Sequence, residues 1–257
     1  MKTLIDALKY ATNQPRNDQM LHFSSHLMND RHTVLYWHHG YPDNTWDKPW
    51  ANTLPLLQGT AIHEQTHRIM EEYHKPYASE IEIRVDDFKY PWTGTVDAYT
   101  EDENHNVVLL DYKTISGSSF TFLDGPKPEH VMQISAYFHY GMPSVQSVGI
   151  LYLPTSPDYR RRWHEPVFYY VTPHPRDAIV GRIEQVEAAI DAYPDVLPDA
   201  VMGTKEWKQN KKEKQWELWS RPHYSSMFCP WKDQDDDPCG CSNQKPELLE
   251  VSDEAPE

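Results

Sequence analysis

One stretch of the sequence limits the possible folds more than any other: the apolar residues 107–110 run directly into Asp111-Tyr112-Lys113. An uninterrupted apolar run of this kind predicts a buried strand. Side chains two positions apart on a strand share a face, so Asp111 and Lys113 are expected to project together from its end. A carboxylate and an ammonium group in such a place suggest a function, because charged groups are rarely buried without one or a partner.

The patterns around this strand predict an α/β fold. Three segments have apolar residues at helical spacing: residues 54–74, 128–141 and 176–193. Five shorter runs are typical of strands: residues 79–85, 93–100, 107–114, 145–153 and 167–171. Because helical and strand segments alternate along the chain, we expect a mixed sheet flanked by helices.

Length and composition favour one domain with appendages, since 257 residues with 39% hydrophobic side chains can form one sizeable core. Four segments are expected: an N-terminal extension of short helices and loops (1–53), the α/β core (54–200), a helical segment that contains the cysteines (201–241) and a disordered acidic tail (242–257). A helix is predicted over residues 204–220. We expect a cytoplasmic protein, because no apolar stretch is long enough for a membrane span and the first residues are too polar for a secretory signal.

The formal net charge of −15 weakens the case for a nucleic-acid-binding protein, because phosphate contacts require Lys and Arg. The charge is uneven, however. Residues 232–257 carry nine acids and two bases, a net charge of −7, which leaves −8 for residues 1–231. Nucleases also concentrate acids at their metal sites, where a bound cation reverses the local field. The charge therefore does not exclude DNA as a partner.

A second carboxylate, Asp97, follows Gly94 in the preceding strand. A hairpin centred on Asn104 places Asp97 opposite Asp111, with Cβ atoms about 4.5–5.5 Å apart. A two-residue shift keeps both on one face, and a one-residue slip separates them. Two carboxylates at this spacing can share Mg²⁺, which activates water for phosphodiester hydrolysis. Lys113 can orient that water or stabilise developing negative charge, so Asp97, Asp111 and Lys113 are the candidate catalytic residues.

Three motifs in this order resemble those of the RecB-like branch of the PD-(D/E)XK nuclease superfamily. They are the helix Gly59-x-x-x-His63, the strands Gly94-x-x-Asp97 and Asp111-x-Lys113, and the helix Gln133-x-x-x-Tyr137. This branch includes the nuclease domains of bacterial recombination helicases and the RecB-like exonucleases of CRISPR adaptation, and the resemblance is compatible with a phage origin. It implies a restriction-endonuclease-like fold and a metal-dependent DNA exonuclease in recombination, repair or processing.

The resemblance also implies roles for seven residues: the metal ligands His63, Asp97, Asp111 and the main-chain carbonyl of Tyr112; the catalytic Lys113; and Gln133 and Tyr137, which support the site or contact DNA. The implied metal is Mg²⁺ or Mn²⁺. Glu82 is a further candidate acid, with Glu80 equally placed on the same strand face. The expected partners are DNA, as single strands or duplex ends, and a helicase or recombinase.

Two other functions stay open. His63-Glu64-Gln65-Thr66-His67 also matches the H-E-x-x-H helix of zinc metallopeptidases, in which two histidines bind Zn²⁺ and the glutamate acts as base. A peptidase leaves the strand carboxylates and Lys113 unexplained, and the 14 histidines of this chain make a chance match easier. The other alternative is a catalytically inactive DNA-binding protein, although every core motif position is filled.

Two basic segments allow two interpretations each. Residues 205–221 interleave lysines with three tryptophans, which fits either the stacking of a single strand or a solvated helix that packs its tryptophans inward. The run Arg160-Arg161-Arg162 either contacts phosphates or forms a turn.

The three cysteines are clustered near the C-terminal end: Cys229, Cys239 and Cys241. Some RecB-like nucleases hold a [4Fe–4S] cluster with four cysteines, but here Ser226 stands three residues before the first cysteine, and residues 1–62 contain none. Three outcomes are open: a cluster completed by a histidine such as His38, His39 or His223, a Cys₃His zinc site, or thiols without a metal. We expect no iron–sulfur cluster, because two of the four ligand positions are lost.

Overall fold

The structure is a computed structural model and describes residues 19–40, 50–73, 78–198, 204–209 and 216–221. Six helices lie within these ranges: α1 (Phe23–His26), α2 (Asp30–His39), α3 (Trp50–Tyr73), α4 (Gly117–Phe120), α5 (Pro128–Tyr140) and α6 (Arg176–Ala192). Eight strands accompany them: β1 (Leu21–His22), β2 (Ala78–Val85), β3 (Trp92–Glu101), β4 (Val107–Ile115), β5 (Val145–Pro154), β6 (Val167–Val171), β7 (Thr204–Gln209) and β8 (Trp216–Arg221).

Six of the strands form one mixed sheet. Five of them follow one another in the order β1-β3-β4-β5-β6, and the sixth strand, β2, also pairs with β3. The pairs β1–β3 and β4–β5 are parallel, and the other pairs are antiparallel. A parallel pair needs a crossover, and α5 makes it between β4 and β5. The predicted fold class is confirmed: a mixed sheet flanked by helices, consistent with a restriction-endonuclease-like arrangement.

Apolar clusters lie on both faces of the sheet. On one face, α1, α2, α5 and α6 pack around the fully buried Trp92 and Leu109. On the other face, α3 contributes Ile62 and Met70 to a smaller cluster that contains Leu110. Because alternate residues of β4 face the two clusters, the strand needs apolar residues at successive positions.

The described part of the N-terminal segment packs into the larger cluster. Leu21, Phe23 and Leu27 are at most 1% exposed, and β1 pairs with the start of β3. Arg182 of α6 forms an ion pair with Asp30 of α2 and donates a hydrogen bond to the Leu27 carbonyl. The division into four segments stays a prediction, but its first segment shares a core with its second.

The helix predicted over residues 204–220 is wrong for the parts that the structure describes. Residues 204–209 and 216–221 form the antiparallel hairpin β7–β8, which pairs Trp207 with Leu218 and Lys208 with Glu217. The lysine content favoured a helix. Apolar residues two positions apart, such as Trp216 and Leu218, instead favour a strand, and tryptophan is enriched in strands.

The other predicted elements are confirmed: the three helices and five strands occur with ends that differ by at most four residues. The short elements β1 and α4 were not predicted. The three cysteines and the acidic tail lie outside the described residues. None of the helices that the structure describes combines the length and the apolar character that a membrane span requires.

Candidate active site

The site lies where β3 and β4 separate. Ala98 pairs with Leu110 and Glu101 with Val107, which is the predicted register centred on Asn104. Asp97 and Asp111 are the next residues of the two strands beyond the last pair of this ladder.

The main chain is irregular at this point. The pairing of β2 with β3 skips the position opposite Asp97, where Glu80 adopts a left-handed φ of 52°. The ladder between β3 and β4 ends at Ala98, and the Asp97 side chain accepts a 2.5 Å hydrogen bond from the Tyr112 amide instead. Asp97 therefore joins the two strands through its carboxylate.

Asp111 and Lys113 project together from β4, as the alternation of side chains requires. The Lys113 Nζ atom lies 2.9 Å from Asp111 Oδ2 and donates a 2.8 Å hydrogen bond to Gln133 Oε1 on α5. The Gln133 amide nitrogen donates to the Tyr137 hydroxyl at 2.8 Å and lies 3.4 Å from Asp111 Oδ1. Gln133 thus holds the lysine and the carboxylate in fixed positions, and Tyr137 holds Gln133.

Asp111 is the most deeply buried charged group of the site, with 1% of its surface exposed. Burial raises the pKa of Asp111 to about 6, although the ammonium group of Lys113 opposes this shift. Its Oδ2 atom receives no hydrogen bond of good geometry from the described residues, even though Lys113 lies close. The ammonium group compensates the charge of this buried oxygen in part, but the hydrogen bond that a buried carboxylate oxygen normally accepts is missing.

His63 reaches the site from α3. Its Nε2 atom lies 3.1 Å from Asp97 Oδ1, and its ring lies edge-on to Tyr112. The hydrogen bond with Asp97 raises the pKa of His63, and burial opposes that effect. His67 lies one helical turn later and contacts Glu71 on its own helix at 3.2 Å. The two histidines of the H-E-x-x-H match therefore pair with different carboxylates.

Two glycines allow close packing around these residues. A Cβ atom on Gly94 would lie 2.4 Å from the Tyr137 ring, so a larger residue would displace Tyr137. A Cβ atom on Gly59 would lie 3.0 Å from the Thr114 hydroxyl, so a larger residue at this position would keep α3 farther from β4. The glycines of two motifs thus have a steric explanation.

All seven predicted site residues line or adjoin one cleft of about 430 Å³: His63, Asp97, Asp111, Tyr112, Lys113, Gln133 and Tyr137. Glu82 lines the cleft as well and accepts a long hydrogen bond from Thr93 at 3.4 Å. Three N-terminal residues form another wall that the sequence did not predict: Met20, His22 and Ser24. In the sequence these residues share only a spacing of two positions. A run this short does not identify a strand of two residues.

The donor set fits a hard divalent cation. Asp97 and Asp111 offer carboxylate oxygens, and His63 offers an imidazole nitrogen. Within the described part of the chain, no three His, Cys, Asp or Glu side chains are close enough together to form a metal-binding cluster. The charged groups instead satisfy one another in pairs, His63 with Asp97 and Lys113 with Asp111. The Oδ2 atom of Asp111 lies 2.9 Å from the Lys113 ammonium group but receives no hydrogen bond from the described residues, and it is the ligand atom that a metal ion would engage.

Other candidate residues have structural partners. Arg162 forms an ion pair with the buried Asp158 at 2.9 Å and closes a turn, while Arg160 and Arg161 stay exposed. His38 contacts the Ile190 carbonyl, and His39 contacts the Tyr193 hydroxyl.

No family model and no curated protein matches this chain. Among solved structures, the fold is similar to that of SSO0001, at 15% identity and a TM-score of 0.48, over 73% of this chain and 82% of that one. It is also similar to LHK-Exo in complex with dAMP, at 14% identity and a TM-score of 0.41, over 68% and 88% of the two chains. A third similar structure is the alkaline exonuclease LHK-Exo from Laribacter hongkongensis, at 15% identity and a TM-score of 0.36, over 53% and 70%. These values describe a distant likeness and do not define the activity of this chain.

Proposed function

We propose that this protein is a metal-dependent deoxyribonuclease that hydrolyses phosphodiester bonds. The observation that carries the proposal is the buried Asp111, whose Oδ2 atom receives no hydrogen bond from the described residues and which lines one cleft together with Asp97 and Lys113. The motif resemblance favours an exonuclease of the RecB-like branch, acting in DNA recombination, repair or processing, with a helicase or recombinase as partner.

His63, Asp97, Asp111 and the Tyr112 carbonyl would hold Mg²⁺ or Mn²⁺. When bound, such a cation supplies Lewis-acid activation of water and charge compensation at the scissile phosphate. Lys113 has its Nζ atom fixed by Asp111 and Gln133, so its charge is oriented before substrate arrives. This preorganised ammonium group can stabilise negative charge that develops on the phosphate.

The first prediction is that the purified protein cuts end-labelled DNA with Mg²⁺ or Mn²⁺ and stops when EDTA is added. Lys113→Ala should lower the rate by about 10²-fold or more, because it removes the oriented charge. The matched control is Lys89→Ala, which also removes a lysine paired with an aspartate, Asp191, but lies away from the cleft.

Sizing the products of single-stranded and duplex substrates over time distinguishes exonuclease from endonuclease cleavage. DNA binding in EDTA without any cleavage in Mg²⁺ or Mn²⁺ would support the inactive DNA-binding alternative instead. If Lys113→Ala cleaves DNA at the rate of the Lys89→Ala control, the assignment of Lys113 as the catalytic lysine is wrong.

The second prediction separates the nuclease from a zinc metallopeptidase. His63→Ala should lower DNA cleavage by about 10²-fold or more, because His63 contacts Asp97 inside the cleft. His67→Ala should stay close to wild type, because His67 contacts Glu71 instead. Glu64→Gln should also have a mild effect. A peptidase activity that all three substitutions abolish equally would contradict the nuclease assignment.

A further inference from the structure

A groove of about 710 Å³, lined mainly by apolar side chains, contains none of the seven candidate site residues. It lies between the C-terminal end of α3 and the sheet, with Met70, Leu110 and Leu151 among its lining residues. Tyr73 at one wall is 76% exposed. The β3–β4 turn, which includes Glu101, Asp102 and Glu103, adds an acidic rim. A groove of this composition fits an apolar segment with positive charge.

The groove borders β6, which is an edge strand of the six-stranded sheet within the described part of the chain. Its sequence, Val-Phe-Tyr-Tyr-Val, contains no proline and no charged residue, and its pairing with β5 has no bulge. Phe168 and Tyr170 line the groove and are 40% and 62% exposed. Such an edge is a template for pairing with another strand, because it carries no charged residue and no bulge. Pro166 and Pro173 flank it and limit any pairing to a short segment.

The loop between β5 and β6 has the complementary character. The buried Asp158 accepts hydrogen bonds from the Arg160 and Arg162 amides at 2.8 and 2.9 Å and fixes the turn. The turn presents Tyr159 and Trp163, which are 60% and 67% exposed, and the Arg160 guanidinium lies 5.2 Å from the Tyr159 ring centre. This loop is both aromatic and basic, whereas the groove is apolar with an acidic rim.

The exposed apolar surface is concentrated on these two features. Six of the ten large apolar side chains exposed among the described residues belong to the groove or the loop: Ile69, Tyr73, Tyr159, Trp163, Phe168 and Tyr170. Contiguous exposed apolar surface with a polar rim marks interaction sites.

We propose that the partner is a second copy of this chain, joined by antiparallel pairing of the two β6 strands. The loop lies beyond the Val167 end of β6, whereas the acidic turn lies towards the Val171 end. Antiparallel pairing about a two-fold axis near Tyr169 therefore brings the loop of each copy towards the groove of the other. The loop and the groove of each copy then both have a partner surface on the other copy, as a two-fold interface requires.

The experiment measures the association state of the full chain by sedimentation equilibrium between about 1 and 100 μM. We expect a dimer for the wild type and at least about tenfold weaker association for Tyr170→Lys, because a lysine on an edge strand opposes pairing. Phe122→Ala, which removes an exposed aromatic residue elsewhere, should leave association unchanged. Circular dichroism of Tyr170→Lys verifies that the variant is folded.

A charge exchange tests the orientation of the two copies. Arg160→Glu and Glu103→Lys should each weaken the dimer several-fold, and the double variant should recover most of the loss, because opposite charges again face each other. A monomeric wild type throughout the concentration range overturns the proposal. A dimer that Tyr170→Lys leaves intact overturns it as well, and a double variant without recovery overturns the antiparallel arrangement.

Discussion

Asp111→Asn should abolish DNA cleavage, by at least about 10³-fold, while the protein remains folded. The substitution keeps the shape of the side chain and one oxygen that can accept from Lys113 and Gln133, but it replaces the other oxygen with an amide nitrogen and removes the negative charge that a cation needs. The measurement is the cleavage rate of end-labelled DNA in Mg²⁺, together with urea unfolding of both proteins. Cleavage by the variant at a rate near that of the wild type would contradict the assignment of Asp111.

The stability of this variant distinguishes a functional carboxylate from a structural one. Burial raises the folded-state pKa of Asp111 from 3.8 to about 6, so the folded protein binds this proton more tightly than the unfolded chain. The charge of Asp111 therefore lowers the free energy of unfolding progressively as pH rises from about 4 to about 6, and this loss persists at higher pH. The loss of unfolding free energy at pH 8 is at most about 3 kcal/mol.

In EDTA, Asp111→Asn should consequently equal or exceed the wild type in unfolding free energy at pH 8, by up to about 3 kcal/mol, and the gain should vanish near pH 4. If the ion pair with Lys113 were instead a net stabilising contact, its removal would lower stability by about 3–5 kcal/mol. Mg²⁺ should stabilise the wild type and not the variant, because ligand binding to the folded state alone adds to stability.

The strands that carry the site could be predicted because their signals are local. The apolar run of β4 and the hairpin centred on Asn104 specify the strand and its register, which brings Asp97 and Asp111 to the same cleft. The Gln133 and Tyr137 pair follows from helical spacing, but their contacts with Lys113 do not, because they depend on how α5 crosses the sheet. The steric need for Gly94 likewise appears only once Tyr137 packs against it.

Among the elements that were not predicted, the strand β1 and the hairpin β7–β8 escaped prediction for different physical reasons. The strand β1 has two residues, so no periodic pattern exists, and tertiary pairing with β3 defines it. In the hairpin β7–β8, lysine content favoured a helix, whereas pairing between strands decided the structure. The first case reflects contacts between segments far apart in the chain, and the second reflects pairing across a short connection.

The N-terminal segment offers the second large effect: Phe23→Ala should lower the unfolding free energy by about 3–5 kcal/mol. Phe23 lies in the segment that its sequence marks only as an extension, yet it is 1% exposed. Its ring stacks on Trp92 with centroids 5.4 Å apart and meets the edge of Tyr137 at 6.1 Å. Truncation therefore leaves a cavity between the start of β3 and α5. Filling this cavity would require the closely packed surrounding rings to shift.

Urea unfolding of Phe23→Ala and of Phe122→Ala provides the measurement. Phe122 is 77% exposed, so the same truncation there should change stability by no more than about 0.5 kcal/mol. Because Tyr137 anchors Gln133, the cavity at Phe23 should also reduce cleavage, even though Phe23 itself is remote from the scissile bond. A chain that starts at residue 54 should fail to fold, since it lacks Leu21, Phe23 and Leu27. Equal stability losses in the two phenylalanine variants would mean that residues 21–27 do not belong to the core.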